Sequence, residues 1–374
     1  MKAKIFHSIR DIPGEQWNQL LVGRSCTYFR EFWEVVEQSG LNDFSYYHVL
    51  FYDEADNPEA LASFYSITTD IAIFAPGTLR FLLLKIRKIF PTFLKFKMLE
   101  CGTPITINKP FVARDDKLND EVVKTLHQIL LGIAKDQGHF LIVLRDFEPE
   151  SYSLLPLFRK LGYHFVDSLP TTYMEIVWST PDEYVSSMKS YYRSKLLKHL
   201  RINREQGIRH ELRESFDDLA TILCDQWQVV HSNADEYQRE ILTPEFYKEF
   251  SSRLGPGSKV LLFYQEQELI GHALLLKDGD MLRWLYFGRN QAINDSLYIY
   301  VAYTVVETAI IVGAKRLELG LTTYAIKKDL GACMSPIKLA LRSPSKFINP
   351  FVGLGYALLN HTPKIQNKDI FKTK

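Results

Sequence analysis

What the chain lacks narrows it first. It has four cysteines in 374 residues, Cys26, Cys101, Cys224 and Cys333, far apart and without a C-x-x-C pair. That spacing argues against a disulfide scaffold and a zinc module, and predicts reduced thiols and no metal site. Net charge is nearly absent, because 45 Lys and Arg face 44 Asp and Glu, leaving +1. Such a balance does not suit a globally basic nucleic-acid binder, whose affinity comes mostly from phosphate contacts. No G-x-G-x-x-G, G-x-x-x-x-G-K-[ST] or G-x-S-x-G occurs, so neither a dinucleotide site, a P-loop nor a serine nucleophile elbow is expected. Long apolar runs are missing too. The longest, Leu297 to Val312, carries Thr304, Glu307 and Thr308, which suits a buried helix better than a membrane span. The start, Met1 to His7, lacks the apolar core of a signal peptide, so a cytoplasmic protein is expected.

What is present is a large apolar inventory. Hydrophobic residues make up 46%, with 24 Phe and 20 Tyr, enough for sizeable cores with polar handles near a cleft. The length fits two domains. In the first half, Trp17 to Leu21 and Phe29 to Ser39 read as helices, and Tyr46 to Tyr52 and Ala60 to Thr68 as a strand pair. Leu118 to Ala134 is amphipathic, Phe140 to Leu144 suits a central strand, and Leu154 to Leu161 is helical. Tyr173 to Trp178 is read as a strand closing that half. The second half opens with a helix predicted from Pro181 to about Gln206, then helices at Leu219 to Val230 and Pro244 to Arg253. Three strands follow, Lys259 to Tyr264, Leu269 to Leu276 and Met281 to Phe287, the second pair turning at Asp278-Gly279-Asp280. A helix from Asp295 to Val312, a strand from Arg316 to Leu321 and a helix from about Ala325 to Leu330 complete it. Each half therefore runs helices, antiparallel meander, helix, strand. That is α+β, not a doubly wound parallel sheet. The expected division is 1–178, 179–345 and a basic tail 346–374.

One stretch has a family likeness. Leu282-Arg283-Trp284-Leu285-Tyr286-Phe287-Gly288 leads into Asn294-Asp295-Ser296-Leu297-Tyr298, and after Gly313 comes Leu317-Glu318-Leu319-Gly320-Leu321-Thr322-Thr323-Tyr324-Ala325-Ile326-Lys327-Lys328-Asp329-Leu330-Gly331. This resembles the tandem-domain branch of the GNAT superfamily, with its strand–Gly–helix–"G…YxxK…G" order. That branch holds CelD-like acyltransferases, the BioF-associated acetyltransferase domain and Fem-type peptidyltransferases. The first half fits more loosely, through Trp17, Phe32-Trp33 and Leu99-Glu100-Cys101-Gly102-Thr103-Pro104. The resemblance implies two GNAT-like domains, each a mostly antiparallel sheet flanked by helices. It also implies acyl transfer from acetyl-CoA or another acyl-CoA to the amine of a small molecule or cell-envelope precursor, without a covalent enzyme intermediate.

The resemblance sets the site expectations. The pyrophosphate of a CoA donor rests at the helix N-terminus after the strand, which assigns Arg289, Asn290, Asn294 and Ser296 to donor binding. The usual glycines of that loop are absent, and Asp295 opposes a phosphate or simply caps the helix. Lys327 matches the motif lysine, and Tyr324 lies one turn before it. Lys327 is read as an oxyanion or anion partner and Tyr324 as a general acid, against helix capping and a solvated Lys327-Lys328 pair. Glu318, His272, Asp235 and His231 are candidate bases, Glu318 favoured because Leu317 and Leu319 flank it. Thr322, Thr323, His231, Asp235, Arg193 and Lys195 are candidate substrate contacts, the last two on the basic helix Tyr191 to Arg204.

Between Asp70 and Glu100 the chain holds no acid, while Arg80, Lys85, Arg87, Lys88, Lys95 and Lys97 alternate with Phe, Leu and Ile. Residues 79–98 therefore read as a basic amphipathic insertion, suited to an anionic membrane surface or to ordinary packing with snorkelling lysines. Two further readings stand beside the acyl-CoA enzyme. One is an aminoacyl-tRNA-dependent Fem-type transferase. The other is a non-catalytic accessory protein at a membrane or biosynthetic complex.

Overall fold

The computed structural model describes residues 1–75, 77–114, 120–234, 240–293, 295–359 and 362–372. Fifteen strands lie among them: β1 (Lys2–Phe6), β2 (Ser45–Tyr52), β3 (Pro58–Asp70), β4 (Lys95–Cys101), β5 (Phe111–Ala113), β6 (Leu141–Phe147), β7 (His164–Asp167), β8 (Thr171–Glu175), β9 (Ile208–Arg213), β10 (Ser258–Gln265), β11 (Glu268–Asp278), β12 (Met281–Arg289), β13 (Arg316–Glu318), β14 (Cys333–Ser335) and β15 (Lys338–Arg342). They form two sheets, in orders β1-β2-β3-β4-β6-β15-β7, with β5 on β3, and β14-β8-β13-β12-β11-β10-β9. The fold is α+β, with two mostly antiparallel sheets flanked by helices, as the sequence predicts.

The two sheets share one plan. Four antiparallel strands, β1–β4 or β9–β12, end in a parallel pairing, β4 with β6 or β12 with β13. The next strand along comes from beyond the corresponding half. β15 inserts between β6 and β7, and β8 between β13 and β14. The chain accordingly divides into one unit of Met1–Leu169, Glu236–Ile241 and Pro336–Pro363, and another of Pro170–Asp235, Leu242–Ser335 and Lys364–Lys374. The expected boundary at residue 178 cuts on the wrong side of β8, and residues 346–374 are not a tail. They include a helix, Val352–Leu359, in the first unit, and a segment of the second. Pro170 and Pro336 stand where the chain leaves one sheet for the other, positions where a missing N–H breaks no ladder.

Alternation along the strands sets the two faces of each sheet. In the first unit, Val49, Phe51, Phe64, Leu99, Ile142 and Leu144 pack on Leu126 and Leu130 of the helix Asp120–Asp136. Its opposite face is a smaller cluster, Tyr65, Ile67, Met98, Leu141, Val143 and Leu341, against Val352 and Tyr356. In the second unit Leu261, Ala273, Leu275, Leu282 and Leu317 pack on Val301, Val305 and Ala309 of the helix Leu297–Ile311. Helices Ala220–Ser232 and Pro244–Arg253 belong to the same unit. Thr243 caps the latter by accepting from Phe246 N, as its sequence predicts. The predicted long helix after Pro181 is two helices, Pro181–Ser187 and Ser190–Glu205. The break falls where Met188 bridges Phe371 and the Lys189 N–H donates to the Ile370 carbonyl, 2.8 Å.

Candidate active site

The parallel pairing of β12 with β13 lasts three residues, Met281 with Arg316, Leu282 with Leu317 and Arg283 with Glu318. Beyond it each strand follows its other neighbour. Leu319 N donates to Thr172 O at 2.9 Å, and Thr172 Oγ1 donates to Gly320 O at 2.7 Å, so this side stays with β8. β12 stays with β11 through Gly271 opposite Arg289. Past that point no ladder pair joins residues 284–289 to 319–324, although Gly320 stays near β12, where an added Cβ would lie 3.7 Å from Trp284 O.

β12 is irregular where this pairing ends. Leu274 faces Tyr286 and Leu275 faces Trp284, so Leu285 opposes no residue of β11, and β13 has already turned away. This is a β-bulge, which re-aims backbone groups and ends pairing. Trp284 spans it, its Nε1 donating to Tyr286 O at 3.0 Å, and its indole stacks on Tyr298, centroids 5.6 Å apart. Burial pushes the Tyr298 phenol up to about 12, against a hydrogen bond from Thr323. No expectation singled out Trp284, Leu285, Tyr298 or Thr172. The run Trp284-Leu285-Tyr286-Phe287, which does not alternate as a plain strand would, was the available signal.

The opposite lip is a strained loop. Gly320, Thr322 and Thr323 have φ of 70°, 61° and 49°. Left-handed backbone at β-branched residues costs about 1–3 kcal/mol each and persists only when surroundings enforce it. Lys327 supplies the enforcement. Its Nζ donates to Leu321 O at 2.6 Å and Gly320 O at 3.3 Å, in a buried position. Burial lowers the Lys327 amine to about 7, partly opposed by the charge of Glu318. The structure thus makes Lys327 the clasp of the lip, rather than a solvated lysine. Tyr324, at the start of the short helix Tyr324–Asp329, donates its hydroxyl to Pro170 O at 2.9 Å.

Glu318 is no free base. Its carboxylate pairs with Arg283 across the last register of the parallel pair, and Arg283 Nε reaches Asp278 Oδ2 at 2.8 Å. All three are buried. Burial works against the Arg283 charge, but Glu318 and Asp278 outweigh it. His272 is likewise committed. Gln226 Nε2 donates to Asn290 Oδ1 (2.7 Å) and Leu269 O (2.9 Å). Its Oε1 therefore accepts from His272 Nδ1 at 2.9 Å, leaving Nε2 to accept from Tyr247 OH at 3.1 Å. Burial depresses the imidazole to about 3.

The expected donor loop is closed by its own side chains. Arg289 clamps Asp295 with two hydrogen bonds, 3.0 and 2.7 Å, and Asp295 Oδ1 accepts from Leu297 N at 2.9 Å. Although burial works the other way, these bonds hold the Asp295 carboxyl below its usual range. Asn290 is spent on Gln226, Glu268 and Leu269. Ser296 Oγ meets His199 Nδ1 at 2.9 Å. A carboxylate thus sits where a pyrophosphate would, and these residues do not fit one. Asn294 and Asp235 lie outside the described residues. His231 packs at a tilt against Trp227 on the helix Ala220–Ser232, ring centroids 4.5 Å apart, and Lys195 is paired to Asp329 at 2.6 Å. Arg193 is half-buried one turn from Leu197. Thr323 reaches Tyr298, and half-buried Thr322 stays on the lip.

The first unit has the same parting of strands, but filled. β4 and β6 pair from Met98–Leu141 to Cys101–Leu144. Beyond that, Arg145 Nη1 donates to Thr103 O at 3.0 Å and to Tyr65 OH at 2.6 Å, lacing the two sides together in a buried position. Among the described residues no cluster of three or more His, Cys, Asp or Glu is placed to hold a metal ion. Nor is any helix there long and apolar enough to cross a membrane.

Comparison with known proteins places the fold. No family model matches the chain. FemX is similar in structure, with TM-score 0.55 and 12% identity over 90% of this chain and 96% of that one. The C-terminal domain of a lysylphosphatidylglycerol synthetase from Agrobacterium fabrum gives TM-score 0.54 at 10% identity, covering 92% and 95%. A tandem GNAT protein from the clavulanic acid biosynthesis pathway gives 0.52 at 9%, covering 92% and 99%. The chain therefore carries the tandem GNAT fold. In sequence it is similar to a Mycobacterium tuberculosis protein bearing the name 8-amino-7-oxononanoate synthase 2, at 29% identity over 322 residues. The match covers 83% of this chain but 41% of that protein, so the chain spans about two fifths of its length.

Proposed function

We propose that the second unit catalyses transfer of an acyl group from an activated donor to an amine, where the pairing of β12 with β13 ends. The observation that carries this reading is the parting of those strands beside the Leu285 bulge. A backbone N–H released from a ladder is a preorganised donor for the oxyanion that forms when an amine attacks an acyl carbonyl. The C–N bond forms, the bond to the leaving oxygen or sulfur breaks, and the amine proton leaves with the departing group or to water. Lys327 positions the opposite lip, and Trp284 and Tyr298 stack beside the β12 bulge. The first unit, laced by Arg145, serves as a structural partner.

A second reading concerns the donor. The Arg289–Asp295 clamp favours an activated ester, such as an aminoacyl ester, over a donor gripped by its pyrophosphate at this helix. The fold likeness to FemX is compatible with that choice. Calorimetry with acetyl-CoA and a long-chain acyl-CoA separates the readings. Micromolar binding of either supports a CoA donor. Absence of binding, together with turnover of an aminoacyl ester and an amine, supports the ester donor. Turnover of neither class would remove the enzymatic reading.

A further inference from the structure

Exposed apolar side chains are not scattered evenly over this chain. Of 22 large ones among the described residues, ten come from two short segments of the first unit, 81–90 and 347–358. Single exposed hydrophobics need no explanation, but concentrations of them mark interaction surfaces. The helix Gly77–Arg87 and the turn after it expose Phe81, Leu82, Leu84, Ile89 and Phe90. The helix Val352–Leu359 turns Val352 and Tyr356 inward, yet its outer stripe is also apolar, with Leu354 and Leu358, and Phe351 just before it, between 63% and 68% exposed. A helix apolar on every side belongs in a core or in lipid. Residues 347–359 contain no charged side chain at all. Both helices pack against the turn Ile71–Phe74 and so belong to one face.

Charge identifies what that face meets. Residues 71–99 contain no acid, and neither does the first unit's segment 336–363. Lys85, Lys88, Lys95, Lys97 and Lys346 are exposed around the apolar side chains. Between them runs an open groove of about 610 Å³, lined by Lys95, Lys97 and Lys135 with Phe96, Phe140 and Ile348 and by no carboxylate. Two of the bordering acids are already paired, Asp70 with Arg87 and Asp167 with Lys338, and Asp43 accepts from Thr68 N. Lysines ringing aromatic and aliphatic side chains match an anionic bilayer, where the apolar groups enter the acyl boundary and the ammonium groups meet lipid phosphates.

We propose that the first unit docks on an anionic lipid surface through the helices Gly77–Arg87 and Val352–Leu359, with the Lys95–Lys97–Lys135 groove taking lipid headgroup phosphates. The inference is independent of the chemistry of the second unit. The full chain is tested by co-sedimentation with vesicles of phosphatidylglycerol and phosphatidylcholine, against phosphatidylcholine alone. Binding is expected to the anionic vesicles only and to weaken with salt. Lys85→Glu with Lys88→Glu, and separately Phe90→Ser with Leu354→Ser, should each weaken it at least about tenfold. All four side chains are exposed, so thermal melting should stay unchanged and confirm the fold. Equal sedimentation of either double variant overturns the proposal, as does absence of binding to anionic vesicles. A concentration-dependent dimer in sedimentation velocity, dissolved by Phe90→Ser with Leu354→Ser, overturns it too by assigning the face to a second copy.

Discussion

Lys327 Nζ donates to the Leu321 carbonyl at 2.6 Å, tying the last turn of the helix Tyr324–Asp329 to the loop that precedes it. Three left-handed residues, Gly320, Thr322 and Thr323, depend on that tie. Lys327→Met keeps the side-chain bulk and removes the donors. A shift of about 1 Å in a reacting lip is enough for a hundredfold loss of rate, and that loss is the expected result in a transfer assay. The same variant tests the buried amine. Its folded value, about 7, lies below that of an unfolded lysine. The unfolded chain therefore binds the extra proton between about pH 7 and 10, and stability should rise with pH across that window. Below it both states are protonated and the penalty is complete. Urea denaturation at pH 7 and 9.5 should show this rise in the wild type and not in Lys327→Met.

Arg283 and Glu318 form a buried pair whose loss should register as stability. Removing one member of such a pair costs about 3–5 kcal/mol, because the other charge stays buried. Glu318→Gln is expected to lower the melting temperature and the activity together. A variant as stable as the wild type, with an altered pH–rate profile, would return Glu318 to the role of general base.

Acid should destabilise the protein before its carboxylates titrate. Burial is the main cause that holds His127 and His139 at about 4 and His272 at about 3. In each case the unfolded imidazole binds a proton that the folded one refuses below about pH 6.5, so stability falls as pH drops through 6 and 5. His272→Gln should flatten that slope between pH 6.5 and 5. Gly288→Ala probes the same spot, because an added Cβ would lie 2.2 Å from His272 Cε1 and 2.7 Å from Trp227 N. Overpacking of that kind costs about 1–3 kcal/mol, measurable as a lowered melting temperature.

Asp295→Asn removes the charge that opposes a phosphate and leaves an oxygen to accept from Leu297 N. If the Arg289–Asp295 clamp is what excludes a pyrophosphate, calorimetry should find CoA bound more tightly by the variant than by the wild type, by about tenfold or more. Unchanged affinity would show that the clamp does not control the donor.

The sequence carries the meander β10–β12 plainly, because the turn Asp278-Gly279-Asp280 and the flanking apolar runs are local signals. It carries the tandem plan through the order of elements. It does not carry the exchange of β8 and β15, since nothing in Thr171–Glu175 or Lys338–Arg342 names a partner more than a hundred residues away. The site shows the same divide. Lys327, Tyr324, Thr322 and Thr323 were legible from the motif and do gather at one lip. Arg289, Asn290 and Ser296 looked available to a ligand, and their engagement by Asp295, Gln226 and His199 is a tertiary fact. Glu318 alternates with core leucines as expected, but the guanidinium that claims it comes from another strand.

Acyl transfer is proposed to take place where β12 and β13 of the second unit part. The most direct measurement is photo-crosslinking with a diazirine-bearing acyl-pantetheine thioester, followed by peptide mapping. Saturable labelling is expected to be confined to residues 284–289 and 319–324 and to be lost in Lys327→Met. Labelling of Leu99–Pro104 and Leu144–Phe147 in the first unit instead, or no saturable labelling by this probe and by a diazirine-bearing aminoacyl ester, would contradict it.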